Sequence, residues 1–188
     1  MWKSVVIVGL VALAVGVASM FLRRTAAPEE VGPPPVAVTA APEFPPDTEW
    51  LHSKPLTLAS LQGQVVVVHF WTFGCINCIH NYPVYKAWQE QYAGKGVTII
   101  GVHTPEFATE ADVERVRAKA SANGLEFPIV IDNDSRIWKS WDNHYWPSIY
   151  LIDKKGRVRH HWEGELHLET VDGGQFASRI DELLAEKP

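Results

Sequence analysis

The sequence predicts an α/β fold, a central mixed β-sheet flanked by helices. Three observations point to it. Residues 65–71 are an apolar, β-branched run, four valines followed by His69-Phe70-Trp71, with the length and composition of a buried strand. Residues 97–102 form a second apolar run, and the helical pattern between the two makes a crossover, so these strands run parallel. Residues 149–152 and 158–162 are joined by Lys154-Lys155-Gly156, a hairpin signal that makes this pair antiparallel.

In chain order, residues 5–22 come first. All are apolar or small except Ser19, with Trp2 and Lys3 before them and Arg23 and Arg24 after. The stretch is long enough to span a bilayer and longer than a typical signal-peptide apolar region, which favours an uncleaved membrane anchor over residues 1–22. Removal after a small-residue site near Ala18 or Ser19 is the alternative. Charge does not orient the segment, because Lys3 and the terminal amine oppose Arg23 and Arg24. Residues 23–46 hold Pro28, Pro33, Pro34, Pro35, Pro42, Pro45 and Pro46. They read as a semi-extended spacer reaching up to roughly 70 Å at about 3.1 Å per residue.

The domain is expected over residues 47–188. Residues 50–58 read as an opening strand or arm, and 58–61 as a short helical turn ended by Gly63. After the 65–71 strand, a helix runs from about Ile76 to Tyr92, stopped by Gly94 and Gly96 and kinked by Pro83. Residues 109–123 read as an amphipathic helix with Thr109 as N-cap, Val113 and Val116 inward, and Asn123-Gly124 as the stop. Residues 127–131 are a short strand. Asp132-Asn133-Asp134 lacks the spacing, glycine and terminal glutamate of an EF-hand loop and reads as a turn capping a short helix over 135–141. The closing helix spans 171–185 and packs Phe176, Ile180, Leu183 and Leu184. The sequence assigns no role to residues 163–169.

Composition narrows the function classes. A chain of 188 residues, 46% of them apolar, has room for one domain with a substantial core. A net charge of -5 and the absence of any basic block argue against nucleic acid as a partner. With two cysteines in all there is no disulfide framework.

Those two cysteines, in Cys75-Ile76-Asn77-Cys78, carry the chemistry. Cys75 falls at a helix start, where unpaired backbone N–H groups and the helix dipole stabilise a thiolate. Cys78 lies one turn on along the same face, within disulfide reach. Cys75 is then the exposed attacking thiol, and Cys78 the shielded one that resolves the mixed disulfide. Half of a zinc or copper site, completed by His80 or His69, is the main rival, although no second cysteine pair exists. Haem attachment is excluded by Ile79 directly after Cys78. Thr72 and Cys75 have T-x-x-C peroxidase spacing, but Val68 stands where proline is required. A structural disulfide closing so short a loop would stabilise little.

Phe70-Trp71, the cysteine pair, Pro83, Trp146-Pro147 and the segment Gly101-Val102-His103-Thr104-Pro105-Glu106-Phe107 resemble the thioredoxin superfamily. Within it they are most similar to the extracytoplasmic TlpA-like group and its DipZ-like branch. The resemblance covers residues 50–188 and implies a thioredoxin-like fold. It implies that Pro147 is cis beside the cysteines, with the backbone of Trp146 pairing with substrate. It places His69 where similar proteins have a buried aspartate that takes a proton from the second cysteine; a hydrogen-bonded core histidine is the plainer reading. It also implies a reductant facing the periplasm from the inner membrane. One apolar span and two cysteines cannot carry electrons across a bilayer, so such a reductant needs a membrane donor, and the resemblance points to a DsbD- or CcdA-like protein.

Other positions follow from the topology. Parallel strands put His103 and Glu106 at the same end of the sheet as Cys75, where either tunes the thiols or simply braces the loop. The expected function is a membrane-tethered thiol–disulfide oxidoreductase acting on protein disulfides, with the Cys75–Cys78 disulfide as its redox centre and no other cofactor. Two alternatives stay open: a copper or zinc chaperone using Cys75, Cys78 and a histidine, and a non-redox module docking a partner through Trp71, Trp141 and Trp146.

Overall fold

In the computed structural model, which describes residues 39–187, the chain order is β1 (Thr39–Ala40), β2 (Trp50–Leu51), β3 (Val65–Trp71), α1 (Ile76–His80), α2 (Tyr82–Tyr92), β4 (Val97–His103), α3 (Val113–Ala122), β5 (Ile129–Ile131), α4 (Arg136–Ser140), β6 (Ser148–Ile152), β7 (Arg157–Glu163) and α5 (Val171–Ala185). Short 3-10 turns cover Ala59–Leu61 and Ala108–Glu110. One seven-stranded sheet runs β1-β7-β6-β3-β4-β5-β2. The β3–β4 and β4–β5 pairs are parallel, and β3–β6 and β6–β7 antiparallel, giving the mixed sheet the sequence calls for.

Every residue of β3 is buried because the strand lies mid-sheet with both faces covered. Side-chain alternation divides it. Val65, Val67 and Trp71 join Tyr85, Trp88, Phe176, Ile180 and Leu183 in the core beneath α2 and α5. Val66, Val68 and Phe70 join Leu61, Ile137, Trp141 and Tyr150 in a second core on the other face. His69 therefore points toward α2.

The structure revises several sequence expectations. Pro83 does not kink one long helix. It occupies the first turn of α2, where its missing N–H is tolerated, and the break falls at Asn81. The helix expected from Thr109 begins later, at Val113. Asp112 is its cap, accepting from Glu114 N and Arg115 N, while Ala108–Glu110 is a separate turn pulled inward by Glu110. Folded structure also starts before residue 47: Thr39 and Ala40 pair with Val158 and Arg157, and Phe44 is buried between Trp50 and Trp141. The apolar segment 5–22 and most of the proline-rich spacer lie outside the described residues. Among the described residues no helix is long and apolar enough to cross a membrane.

Candidate functional site

The site forms where β3, β4 and β6 end together. Trp71 pairs with His103, and Phe70 with Ser148, so the turn after β3, the loop after β4 and the approach to β6 share one end of the sheet. Cys75 caps α1 in an extended conformation, and its sulfur accepts from Cys78 N at 3.3 Å. It is partly exposed, whereas Cys78 is fully buried. Both are free thiols.

Their acidities are driven apart. The Cys75 thiol is lowered to about 7, first by the hydrogen bond from the Cys78 side chain and then by the Cys78 and Asn77 backbone amides, against the opposing effects of burial and the Glu106 charge. Cys78 is pushed far up, first by burial and then by its bond to Cys75, with only the Thr72 backbone pulling it down. The backbone N–H groups expected at the helix start do stabilise Cys75, although α1 has only five residues and the largest contribution, from the Cys78 side chain, was not foreseen.

Pro147 follows a cis peptide bond after Trp146. The Trp146 indole N–H donates to Thr104 O at 3.1 Å and its ring lies 4.0 Å from that of Trp138, so this side chain ties the β6 approach to the β4 loop. Trp71 is fully buried, edge-on to Tyr82 and His103, and Trp141 is only 6% exposed. A docking edge made of Trp71, Trp141 and Trp146 is thus corrected: two of its three rings are core. The apolar side chains that do reach solvent on these loops are Ile76, Phe107 and Tyr145, at 60%, 62% and 58% exposure.

His69 is buried and stacks on Tyr85 at 3.9 Å, with the Phe127 edge at 5.0 Å. Neither ring nitrogen has a hydrogen-bond partner among the described residues, so it is not the hydrogen-bonded core histidine of the plainer reading, and it makes no hydrogen bond to Cys78. Burial lowers its pKa to about 3. His103 is also buried, stacked under Phe73, with Nε2 3.4 Å from Thr72 Oγ1, and burial lowers it to about 4. Glu106 is exposed and acts on both thiols through its charge, which raises their pKa values.

Two residues of the site escape sequence reasoning. Glu110, inside the stretch read as an amphipathic helix, is 4% exposed, and its Oε2 accepts from Thr72 Oγ1 at 2.7 Å. No sequence signal marked it, because the residue three before it, Phe107, has no side-chain acceptor to form a capping box with it. Asn81 is buried at the α1–α2 break; its Oδ1 accepts from Leu166 N at 2.7 Å and its Nδ2 donates to Gly164 O at 3.3 Å. It clamps the 163–169 loop that the sequence left without a role. His80 turns away from the cysteines to Glu165 at 3.0 Å, and among the described residues no three His, Cys, Asp or Glu groups gather as a metal site.

The sequence model of the AhpC/TSA family matches residues 38–161, two thirds of the chain. The chain belongs to the AhpC/TSA family. The TlpA-like thioredoxin resemblance stands with it. This AhpC/TSA member is 44% identical over 129 residues to protein DipZ of Mycobacterium tuberculosis, covering 66% of the chain but only 18% of DipZ. It is 32% identical over 125 residues to the thiol-disulfide oxidoreductase ResA of Bacillus thuringiensis, covering 65% of the chain and 68% of ResA. Among solved structures, a thiol-disulfide isomerase from Corynebacterium glutamicum superposes with a TM-score of 0.66 at 26% identity, covering 78% of the chain and 98% of that protein. Family membership does not bring peroxidase geometry with it: the Thr72 hydroxyl, at T-x-x-C spacing, is turned to Glu110.

Proposed function

We propose that the chain is a thiol–disulfide oxidoreductase that reduces disulfides of other proteins, held at the inner membrane by residues 5–22 with its domain in the periplasm or an equivalent extracytoplasmic space. The opposed thiols carry this reading: Cys75 is reachable and close to half ionised near neutral pH, while Cys78 is sealed and protonated.

In the first step the Cys75 thiolate attacks one sulfur of a partner disulfide, forming a mixed disulfide and expelling the other sulfur as a thiolate. Cys75 thereby loses its charge. Its two contributions that raise Cys78, the side-chain hydrogen bond and the charge repulsion, vanish together. Cys78 then passes its proton to the partner thiolate already expelled, attacks Cys75 and releases the second partner sulfur as a thiolate that water protonates. The products are a Cys75–Cys78 disulfide and two partner thiols, with two electrons transferred. Regeneration falls to a DsbD- or CcdA-like membrane donor, which the TlpA-like resemblance of the sequence suggests and which a chain with two cysteines cannot replace. Ile76, Phe107 and Tyr145 give the partner an apolar rim around the attacking sulfur, and the Trp146 backbone beside Pro147 is the proposed strand-like contact.

Cys78→Ser tests this, since it halts the cycle after the first step. Envelope proteins should be recovered as reducible adducts on Cys75, and a Cys75→Ser control should recover none. An extract that yields no adduct, from a variant whose Cys75 still alkylates normally, would sink the proposal.

A further inference from the structure

We propose that Glu110 is a positioning residue of the dithiol, acting through Thr72 to set the ionisation of Cys75. The inference rests on the oxidoreductase reading and names a residue of its machinery that neither the family resemblance nor the cysteine pattern marks.

A buried carboxylate is unfavourable unless donors replace its water. Glu110 is satisfied by hydroxyl and amide donors rather than by a cation. Its Oε2 accepts from Thr72 Oγ1 at 2.7 Å, Glu106 N at 2.8 Å and Phe107 N at 3.3 Å. Among the described residues no ion pair includes it. The three donors belong to two segments, the turn that launches the cysteines and the loop that carries Glu106. One carboxylate therefore fixes the distance between the thiols and the charge that opposes their ionisation.

Thr72 passes this on. It is fully buried, its carbonyl accepts from Cys75 N at 3.4 Å, and its backbone hydrogen bond pulls Cys78 down against burial. Its hydroxyl donates to Glu110 and so faces His103 Nε2, 3.4 Å away, with a lone pair. The next turn residue, Gly74, gives an independent sign of the same fit. A Cβ at this position would collide with Glu110 Oε1, so the carboxylate lies against the backbone of the residue preceding Cys75.

The test reads Cys75 ionisation from the pH dependence of iodoacetamide alkylation, with Cys78 blocked from reporting by its burial, and in parallel the equilibrium with glutathione. Glu110→Gln keeps the shape but weakens the acceptor that Thr72 Oγ1, Glu106 N and Phe107 N share, and so loosens the loop holding the Glu106 charge that opposes Cys75 ionisation. The alkylation midpoint should fall, raising the thiolate-to-thiol ratio at pH 6 at least threefold, and the glutathione equilibrium should move toward the dithiol. Thr72→Val should shift both readouts the same way, and the double variant should go no further than the larger single. Gly74→Ala, which displaces the carboxylate without altering its charge, serves if Glu110→Gln does not fold.

Unchanged midpoints accompanied only by lower melting temperatures would reduce Glu110 to a structural brace and overturn the proposal. Additive or opposed shifts would overturn it as well. Alkylation needs no turnover, so a wild-type protein that alkylates near pH 7 but never cycles with glutathione would count against the oxidoreductase reading and leave the Glu110 test intact.

Discussion

Replacing Cys78 by alanine removes the largest influence that lowers the Cys75 thiol, its hydrogen bond from the Cys78 side chain, and leaves the Cys78 and Asn77 amides in place. A hydrogen bond to a charged group contributes about 1.5–3 kcal/mol when fully desolvated. Cys75 is partly open to water, so solvent screening reduces the loss to about 1–1.5 kcal/mol, or about one pH unit. The midpoint should therefore rise from about 7 to about 8. At pH 7 the thiolate fraction then drops from about one half to about one tenth, and iodoacetamide should react about two-fold more slowly once the stronger nucleophilicity of the more basic thiolate is included. Because the chain has only two cysteines, the variant reports Cys75 alone. Pseudo-first-order alkylation followed from pH 5 to pH 10 should show a shifted midpoint and an alkaline plateau about two- to three-fold higher, because the more basic thiolate is the stronger nucleophile. A midpoint that stayed near 7 would mean that the backbone amides suffice and that the coupling between the two thiols, on which the two-step cycle depends, is misread.

Two further outcomes follow from the buried polar groups. His69 is held neutral in the fold with its pKa lowered to about 3, whereas an unfolded histidine titrates near 6.5. A depressed folded value gives stability that is complete above the unfolded pKa and is lost as pH falls toward the folded one, so His69 should remove about 2 kcal/mol by pH 5. His69→Phe, which keeps the stack on Tyr85, should flatten the acid limb of urea unfolding by that amount; an identical acid limb would refute the burial argument. Asn81→Ala strands the Leu166 amide and should cost about 1–3 kcal/mol. It should also speed amide exchange at Leu166 before any change at β3, and unaltered exchange there would show that Asn81 is not the clamp.

Much of the frame was legible because its signals are local. The valine run, the crossover and the Lys154-Lys155-Gly156 turn dictate β3, β4, β6 and β7 through periodicity and turn chemistry. The cis bond before Pro147 came from family resemblance rather than from any property of the residues nearby. What stayed hidden depends on partners distant in sequence. Glu110 looks like one charge among many until Thr72, 38 residues earlier, supplies its hydroxyl, and Asn81 looks like a helix residue until Leu166, 85 residues later, needs an acceptor. The direction of His69 required the register of β3, which alternation alone leaves free. The length of α1 could not be read either, since Asn81 rather than Pro83 ends it.

At its two margins the sheet carries the shortest strands it has, Thr39–Ala40 beside β7 and Trp50–Leu51 beside β5. Each covers only two residues of its neighbour, and residues 159–163 of β7 have no strand partner on that side among the described residues. For a catalyst whose proposed clients leave with crosslinks broken and backbone loosened, the short outer strands and the cationic Arg157 and Arg159 on β7 disfavour adding a client strand at the margin of the sheet.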